Sequence, residues 1–360
     1  MSISMQENNN LQDQQIVDSY FSYINQLTDD LIKPANNNLT DPYFKEINLM
    51  ARNDFFLNNI YLFSLCLRRK ECPSEIKEKI ESLYNNIKLY HYTTYETLEK
   101  IITRKSLKLS NITNMNDTKE CKALFEFFKQ IIQESNDEKQ ISLSEFEEKY
   151  NEYTSKIFSF SFSGLKDDAA QWERYGVKKN ISSTKESCGV CIEIPMTRLI
   201  KLVNTLEDQN NPQQQKNFDL VAIKPILYVP SYDKENSMLN IVSRFAYWDY
   251  EHKENGDKIK EICQWSATIK HESFKREYEM RLLVVLNLPD VVKINGSILI
   301  DLDKPCYEFN NLFSSITLGP ETPEKMKDKV IKLLNENNIN VNPENITLSN
   351  CPLRFLQNRQ

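Results

Sequence analysis

The sequence predicts an α+β fold with a mainly antiparallel sheet, preceded by a helical region. Three observations carry that expectation. Short strand-like segments are separated by helical segments of varied length, without the regular βα alternation of a parallel sheet. Residues 157–164, IFSFSFSG, alternate strictly from Phe158 onward, with Phe158, Phe160 and Phe162 on one face and Ser159, Ser161 and Ser163 on the other. Residues 1–88 carry helical periodicity alone, and the texture changes at Lys88. The expected organisation is a helical N-terminal region over 1–88 and an α+β domain over 89–360, with a helical insertion around 237–268.

The elements follow in chain order. The first dozen residues are polar and predicted to be disordered. Ile16, Tyr20, Phe21, Ile24, Leu27 and Leu31 recur at helical spacing and predict an amphipathic helix, ended by the Pro/Asn-rich break at 33–38. Helical patterns return over 55–69 and from an N-cap at Ser74 to Ile87. LYHYT at 89–93 is aromatic and β-branched and predicts a strand. Thr93 or Thr94 then caps a helix reaching Lys105, with Tyr95, Leu98, Ile101 and Ile102 as its buried stripe. A strand at 106–111, a polar loop at 111–117 and helices over 120–133 and 143–156 lead into the alternating strand. Its phenylalanines are expected to face the core and its serines a solvent-lined or ligand-lined surface.

Beyond it come a short helix holding Gln171, Trp172 and Tyr175, a strand at 189–195 and a low-complexity polar loop at 205–217. A strand at 221–229 is placed near an edge or bulge by Pro225. KREYEMRLLVVL at 275–286, further strands at 296–302, 316–320 and 346–348, and a helix over 323–335 complete the chain.

Composition narrows the function. The 360 residues suffice for one large or two smaller domains, and 40% hydrophobic content with 11% aromatic content indicates a globular chain. The formal charge of -6, from 45 basic and 51 acidic residues, lacks the basic excess of a phosphate-tracking groove, so no nucleic-acid partner is expected. No apolar run approaches the roughly 20 residues that span a bilayer, and the N-terminus lacks a signal-peptide pattern. The expectation is a soluble cytoplasmic protein without a membrane partner. Eight cysteines scattered through apolar segments read as reduced, buried thiols. The six glycines form neither a GxGxxG nor a Walker loop, which excludes nucleotide binding in those two manners.

A few residues are candidates for chemistry. Glu277 and Glu279 stand two apart before an apolar run; in an extended chain both carboxylates leave the same face. Like charges held so close resist burial unless a cation or polar substrate uses them. The pair reads as a wall of an active site or, equally, as a solvated strand face neutralised by Lys275, Arg276 and Arg281. Of the three histidines, His252 reads as a surface residue, His271 precedes the glutamate pair, and His91 shares a strand face with Leu89 and Thr93. Cys188 and Cys191 form a single CxxC with no second ligand pair, so no metal site is expected. SFSG is not a nucleophile elbow, and phosphoryl transfer lacks its glycine-rich loop.

A histidine strand, a serine-faced strand and a Glu-x-Glu strand, in that order, resemble the ADP-ribosyltransferase superfamily. More closely, LYHYT, NMND, FSFS, QWERYG, GVCIEI, KHESFKREYEMRL and ITLGP over residues 89–334 resemble a bacterial family known only as a domain of unknown function. The resemblance implies a split antiparallel β-sandwich with NAD as substrate in a cleft between two small sheets. It implies His91 on a ribose hydroxyl, Ser159 or Ser161 at the nicotinamide pocket, and Glu279 on the nicotinamide ribose. Glu277 would aid the acceptor, as in Glu-x-Glu enzymes that modify arginine, and a one-residue bulge would exchange the two glutamates. Tyr92, Thr93 and Trp172 complete the expected NAD-binding set, with rings that stack on the substrate or pack in the core. Asn116 and Asp117 would line the cleft or cap a helix.

The reading is a mono-ADP-ribosyltransferase acting on a side chain, expected to be arginine, of an unidentified target protein, as a bacterial toxin, effector or defence factor, cytoplasmic or delivered into a host cell without a classical signal peptide. Its alternatives are an inert NAD-sensing or protein-interaction module, an NAD glycohydrolase, and an RNA-end-modifying relative.

Overall fold

The computed structural model describes residues 87–115, 121–134, 142–176, 188–208, 218–229, 258–287, 296–320 and 322–353. The chain divides into Met1–Tyr84 and Asn85–Gln360. The helices expected before residue 87, the 237–257 part of the expected insertion, and Asn116 and Asp117 lie outside the described residues.

The domain opens with strand β1 (Lys88–Thr94), helix α1 (Tyr95–Arg104) and strand β2 (Ser106–Asn111). Thr94 starts α1 by accepting the Thr97 N–H, and Lys105 ends it in the left-handed region at φ 44°. Leu98, Ile101 and Ile102 form its buried stripe, as the spacing predicts. Helices α2 (Lys122–Glu134) and α3 (Leu143–Thr154) precede strand β3 (Ile157–Ser163). Then follow α4 (Ala169–Tyr175), β4 (Gly189–Pro195), α5 (Met196–Asp208), β5 (Phe218–Pro225), β6 (Leu227–Val229), α6 (Lys258–Ser266) and β7 (Ile269–His271). Strands β8 (Glu279–Leu286), β9 (Ser297–Asp301) and β10 (Ser315–Leu318), helix α7 (Lys325–Glu336) and strand β11 (Ile346–Leu348) finish it.

The architecture is α+β with antiparallel pairing dominant. Nine strands join in one hydrogen-bonded sheet among the described residues, and β6 and β7 form a separate parallel pair. The sheet forks at β3. One edge of β3 pairs with β8 along its whole length, from Ile157 opposite Val285 to Ser163 opposite Glu279. The other edge is shared: Ser159 and Phe158 pair with Ser110 and Asn111 of β2, and Ser163 pairs with Tyr90 of β1. Phe160, Ser161 and Phe162 lie between those pairings, where the two wings diverge. The expected split between small sheets is thus a fork within one sheet, with β1, β4, β10 and β11 on one wing and β2 and β9 on the other.

A hydrophobic core backs the paired strands β3 and β8. Helices α2, α3 and α6 bury Leu124, Phe128, Phe146, Tyr150, Ile259 and Ile262 against Leu283 and Val285 of β8. Pro225 ends β5, which pairs only with β8 among the described strands and slips register between Phe218 and Leu220. That matches the edge position its proline predicts.

Two sequence expectations change. The serine face of β3 is not a solvated surface: Ser159 and Ser163 are each 3% exposed. Between them Ser161 is half-buried, so the serine face is a mostly buried polar layer that opens only where the wings diverge, on the ligand-lined side of the expectation. Glu277 and Glu279 also do not share a strand. Glu277 closes a 3₁₀ turn (Glu272–Glu277), Tyr278 adopts the left-handed conformation at φ 43°, and only Glu279 begins β8.

Trp172 is the third correction. Its side chain is 0% exposed and is absent from the cleft lining, so its ring is a core post rather than a stacking surface. It donates its indole N–H to Asp167 at 2.8 Å and meets Tyr92 edge-on. Gly176, just past its own helix, and the distant Gly189 and Gly319 close around it. A Cβ at Gly189 would stand 2.8 Å from the Gly176 carbonyl oxygen and 3.2 Å from the Trp172 ring. Gly189→Ala is therefore expected to cost about 1–3 kcal/mol, seen as a lower urea midpoint at unchanged slope.

Candidate active site

A cleft of about 230 Å³ opens at the fork. β1 contributes Tyr90, His91 and Tyr92, β3 contributes Ser161, Phe162 and Ser163, and Glu277, Glu279, Gln171, Tyr175 and Lys270 close one side. Ser110, Asn114 and Met115 line it from the opposite wing.

Ser161 links the candidate groups. Where the wings diverge, its carbonyl accepts from His91 Nδ1 at 2.9 Å, and its hydroxyl donates to Glu279 Oε1 at 2.6 Å. A carbonyl can only accept, so Nδ1 carries the ring proton and Nε2 is left with its lone pair. The ring stacks on Phe160 with centroids 4.1 Å apart. Burial pushes the His91 pKa down to about 4, against the smaller upward pull of the Ser161 carbonyl, so the imidazole is neutral at physiological pH.

Glu279 is buried within four donated bonds. Besides Ser161, Arg281 donates to it through Nε at 2.7 Å and Nη2 at 3.2 Å, and Lys270 donates at 2.9 Å. Burial alone would raise this carboxyl; the charges of Arg281 and Lys270, with the Arg281 and Ser161 hydrogen bonds, outweigh it and take the pKa down to about 2. Its backbone N–H is also held, donating to the Tyr228 hydroxyl at 2.8 Å. The side chain is therefore ionised and fixed in orientation.

Glu277 reaches the same place from its turn. Lys270 Nζ lies 2.7 Å from its Oε2, the Tyr175 hydroxyl donates to Oε1 at 3.1 Å, and Arg174 pairs with Oε1. Gln171 and Ser163 donate to its backbone carbonyl at 3.2 and 2.7 Å, which fixes the turn. Lys270, 2% exposed, bridges both carboxylates and lies over the Phe274 ring. The cost of bringing two carboxylates together, foreseen from sequence, is thus met by cations of the chain itself.

His91, Tyr92, Ser161, Glu277 and Glu279 all line the one cleft. Thr93, Ser159 and Trp172 are not among its lining residues. Ser159 donates toward the Met115 sulfur at 3.7 Å, and the Tyr92 hydroxyl is engaged by the Leu165 carbonyl at 2.8 Å and the Asp168 N–H at 3.0 Å. Sequence reasoning missed Lys270, Arg174, Tyr175 and Tyr228, and it set Arg281 beside the glutamates only on a solvated strand face, whereas the structure pairs it with Glu279 in the interior. A signal existed only for Arg281, a charge inside an apolar run two residues from Glu279 and hence on its strand face.

Between pH 6.5 and about 4 the unfolded chain binds a proton at residue 91 that the folded chain does not, so this part of the stability is whole above pH 6.5 and is lost toward pH 4. Glu279 acts the same way lower down, its contribution present above 4.5 and lost as pH falls through about 2. His91→Gln keeps an N–H for the Ser161 carbonyl. Its urea midpoint is expected to stay flat from about pH 7 to about pH 5, where the wild-type midpoint falls.

Residues 171–282 match a family model described as "Protein of unknown function (DUF2971)". The expected resemblance to a family of unknown function, read over 89–334, is found over that span, which holds Lys270, Glu277, Glu279 and Arg281 but not His91 or Ser161. No curated protein matches the chain. Among solved structures, DarT of Thermus sp. 2.9 in complex with ADP-ribosylated single-stranded DNA is similar at 7% identity and a TM-score of 0.28, covering 73% of this chain and 93% of that one. The expectation that nucleic acid is not a partner is not retained. It rested on whole-chain charge, an average that does not describe the field at one cleft.

Proposed function

We propose that this cleft binds the nicotinamide-ribose end of NAD and transfers ADP-ribose to an acceptor, with nicotinamide released. The observation that carries the reading is the meeting of His91, Ser161 and Glu279, from three strands, in one cleft. The donor set fits a sugar. His91 Nε2 is an acceptor for a ribose hydroxyl, and Glu279 is a fixed carboxylate for another. Its four acceptor positions are taken, and Ser161 is the neutral donor among them, the one a ribose hydroxyl replaces at least electrostatic cost. Phe162 and Tyr90 offer apolar ring surface to nicotinamide. The cleft volume lies below the roughly 300–1,000 Å³ of pockets that enclose a whole drug-sized ligand, which suits one end of a dinucleotide.

Positive charge builds on the ribose as its bond to nicotinamide breaks, and an ionised, immobile Glu279 beside that ribose stabilises it. His91, held neutral, adds no opposing charge. Thr93, Ser159 and Trp172 act behind the walls in this reading, and Tyr92 fixes the 165–168 turn.

The test is incubation of the pure protein with adenine-labelled NAD and a bacterial lysate, followed by separation of the protein and nucleic-acid fractions. Label retained in either fraction supports transfer and identifies the acceptor. Nicotinamide release with free ADP-ribose as the only product favours an NAD glycohydrolase, and NAD binding without turnover favours an inert sensor. Absence of binding as well would contradict the proposal.

A further inference from the structure

We infer that Lys270 determines acceptor specificity: it occupies the place between Glu277 and Glu279 that a substrate guanidinium would need, so the acceptor is a nucleophile without positive charge. This rests on the transferase reading above, and it replaces the arginine acceptor that the Glu-x-Glu resemblance implies.

The geometry around Glu277 carries it. A glutamate that receives an acceptor guanidinium must present free carboxylate oxygens to the cleft, ideally both in a fork. Here Oε2 lies 2.7 Å from Lys270, while Oε1 takes the Tyr175 hydroxyl at 3.1 Å and is paired with Arg174. The Glu277 and Lys270 side chains are only 5% and 3% exposed, so an incoming cation would have to displace a buried charge partner. Electrostatics point the same way. Arg174, Lys270 and Arg281 face Glu277 and Glu279, three cations to two carboxylates, which leaves the cluster one positive charge in excess. A further guanidinium meets net repulsion there; a neutral or anionic nucleophile does not.

The chemistry is consistent with this. In the transfer, the bond from ribose C1′ to nicotinamide breaks and its electron pair leaves with neutral nicotinamide. The acceptor's lone pair forms the new bond to C1′. A guanidinium must first give up a proton to a base, and Glu277, ion-paired on both oxygens, is poorly placed to take it. An anionic oxygen attacks without proton loss, and a neutral hydroxyl or water releases its proton after the positive charge has developed.

Lys270→Gln tests the inference. It leaves each carboxylate one guanidinium, Arg174 for Glu277 and Arg281 for Glu279, so the cluster becomes neutral without an unpaired carboxylate. Lys270→Met serves as a second variant of similar length should glutamine fold poorly. Agmatine is the guanidinium probe, acetate the anionic one, and adducts are read by mass spectrometry beside nicotinamide release and NAD binding. Wild type is expected to form no ADP-ribosyl-agmatine above background, and at least one variant to form it at least tenfold faster than wild type. Ready formation of ADP-ribosyl-agmatine by wild type, or folded variants that still refuse it while binding NAD, would overturn the inference. Failure of wild type to bind NAD at all is a different result, and sinks the transferase reading beneath it.

Discussion

Glu279→Gln is expected to slow nicotinamide release from NAD by about a hundredfold or more, equivalent to roughly 3 kcal/mol of lost barrier lowering. Glutamine keeps the shape but removes the negative charge beside the ribose, and its NH₂ replaces one acceptor oxygen, turning donors either toward Lys270 and Arg281 Nη2 or, in the flipped amide, toward Arg281 Nε. Two buried cations then lose a partner, so stability falls as well. The comparison is made per folded molecule, with near-ultraviolet circular dichroism and NAD binding measured on the same samples. Activity equal to wild type would remove Glu279 from the reaction.

The second large effect concerns Arg281, whose side chain is 0% exposed and forks onto Glu279 while its Nη1 donates to the Ala267 carbonyl at 2.8 Å. Arg281→Met is expected to destabilise by about 3–5 kcal/mol, because it strips the buried Glu279 of its largest stabilising charge. The double variant Arg281→Met with Glu279→Gln removes charge and counter-charge together. Its loss in urea unfolding should be well below the sum of the single losses. Additive losses would mean the pair is not coupled. Lys201 and Glu308 set the contrast: also an ion pair, at 2.6 Å, but half-exposed at 59% and 48%, where a partner's loss costs at most about 1 kcal/mol.

Much of this was legible in the sequence because local physics fixed it. The Thr94 cap, the stripe of Leu98, Ile101 and Ile102, and the alternation of 157–163 each follow from hydrogen-bonding and periodicity within one element. The convergence of His91, Ser161 and Glu279 was anticipated through strand order, which a family resemblance supplied. What stayed hidden was non-local or lacked its usual marker. Left-handed turns are signalled by glycine or asparagine, and Tyr278 is neither, so the break between Glu277 and β8 read as continuous strand. Lys270 sits in a short polar run, KHES, and only the turn that follows folds both glutamates back onto it. Trp172 looked available for stacking because the glycines that enclose it stand at 176, 189 and 319.

The exposed wall of the site and its ionic backing thus have separate origins. His91 and Ser161 are placed by the fork in the sheet. Glu279 is held by Lys270, Arg281 and Ser161, and the lysine that helps ionise it also pairs with the neighbouring Glu277.

The most direct test of the central claim is a crystal structure of the Glu279→Gln variant grown with NAD, chosen so that the substrate survives. Nicotinamide and its ribose are expected at the fork, with ribose hydroxyls within hydrogen-bond distance of His91 Nε2 and of residue 279. NAD bound elsewhere, or a fork left empty while NAD binds in solution, would contradict that claim.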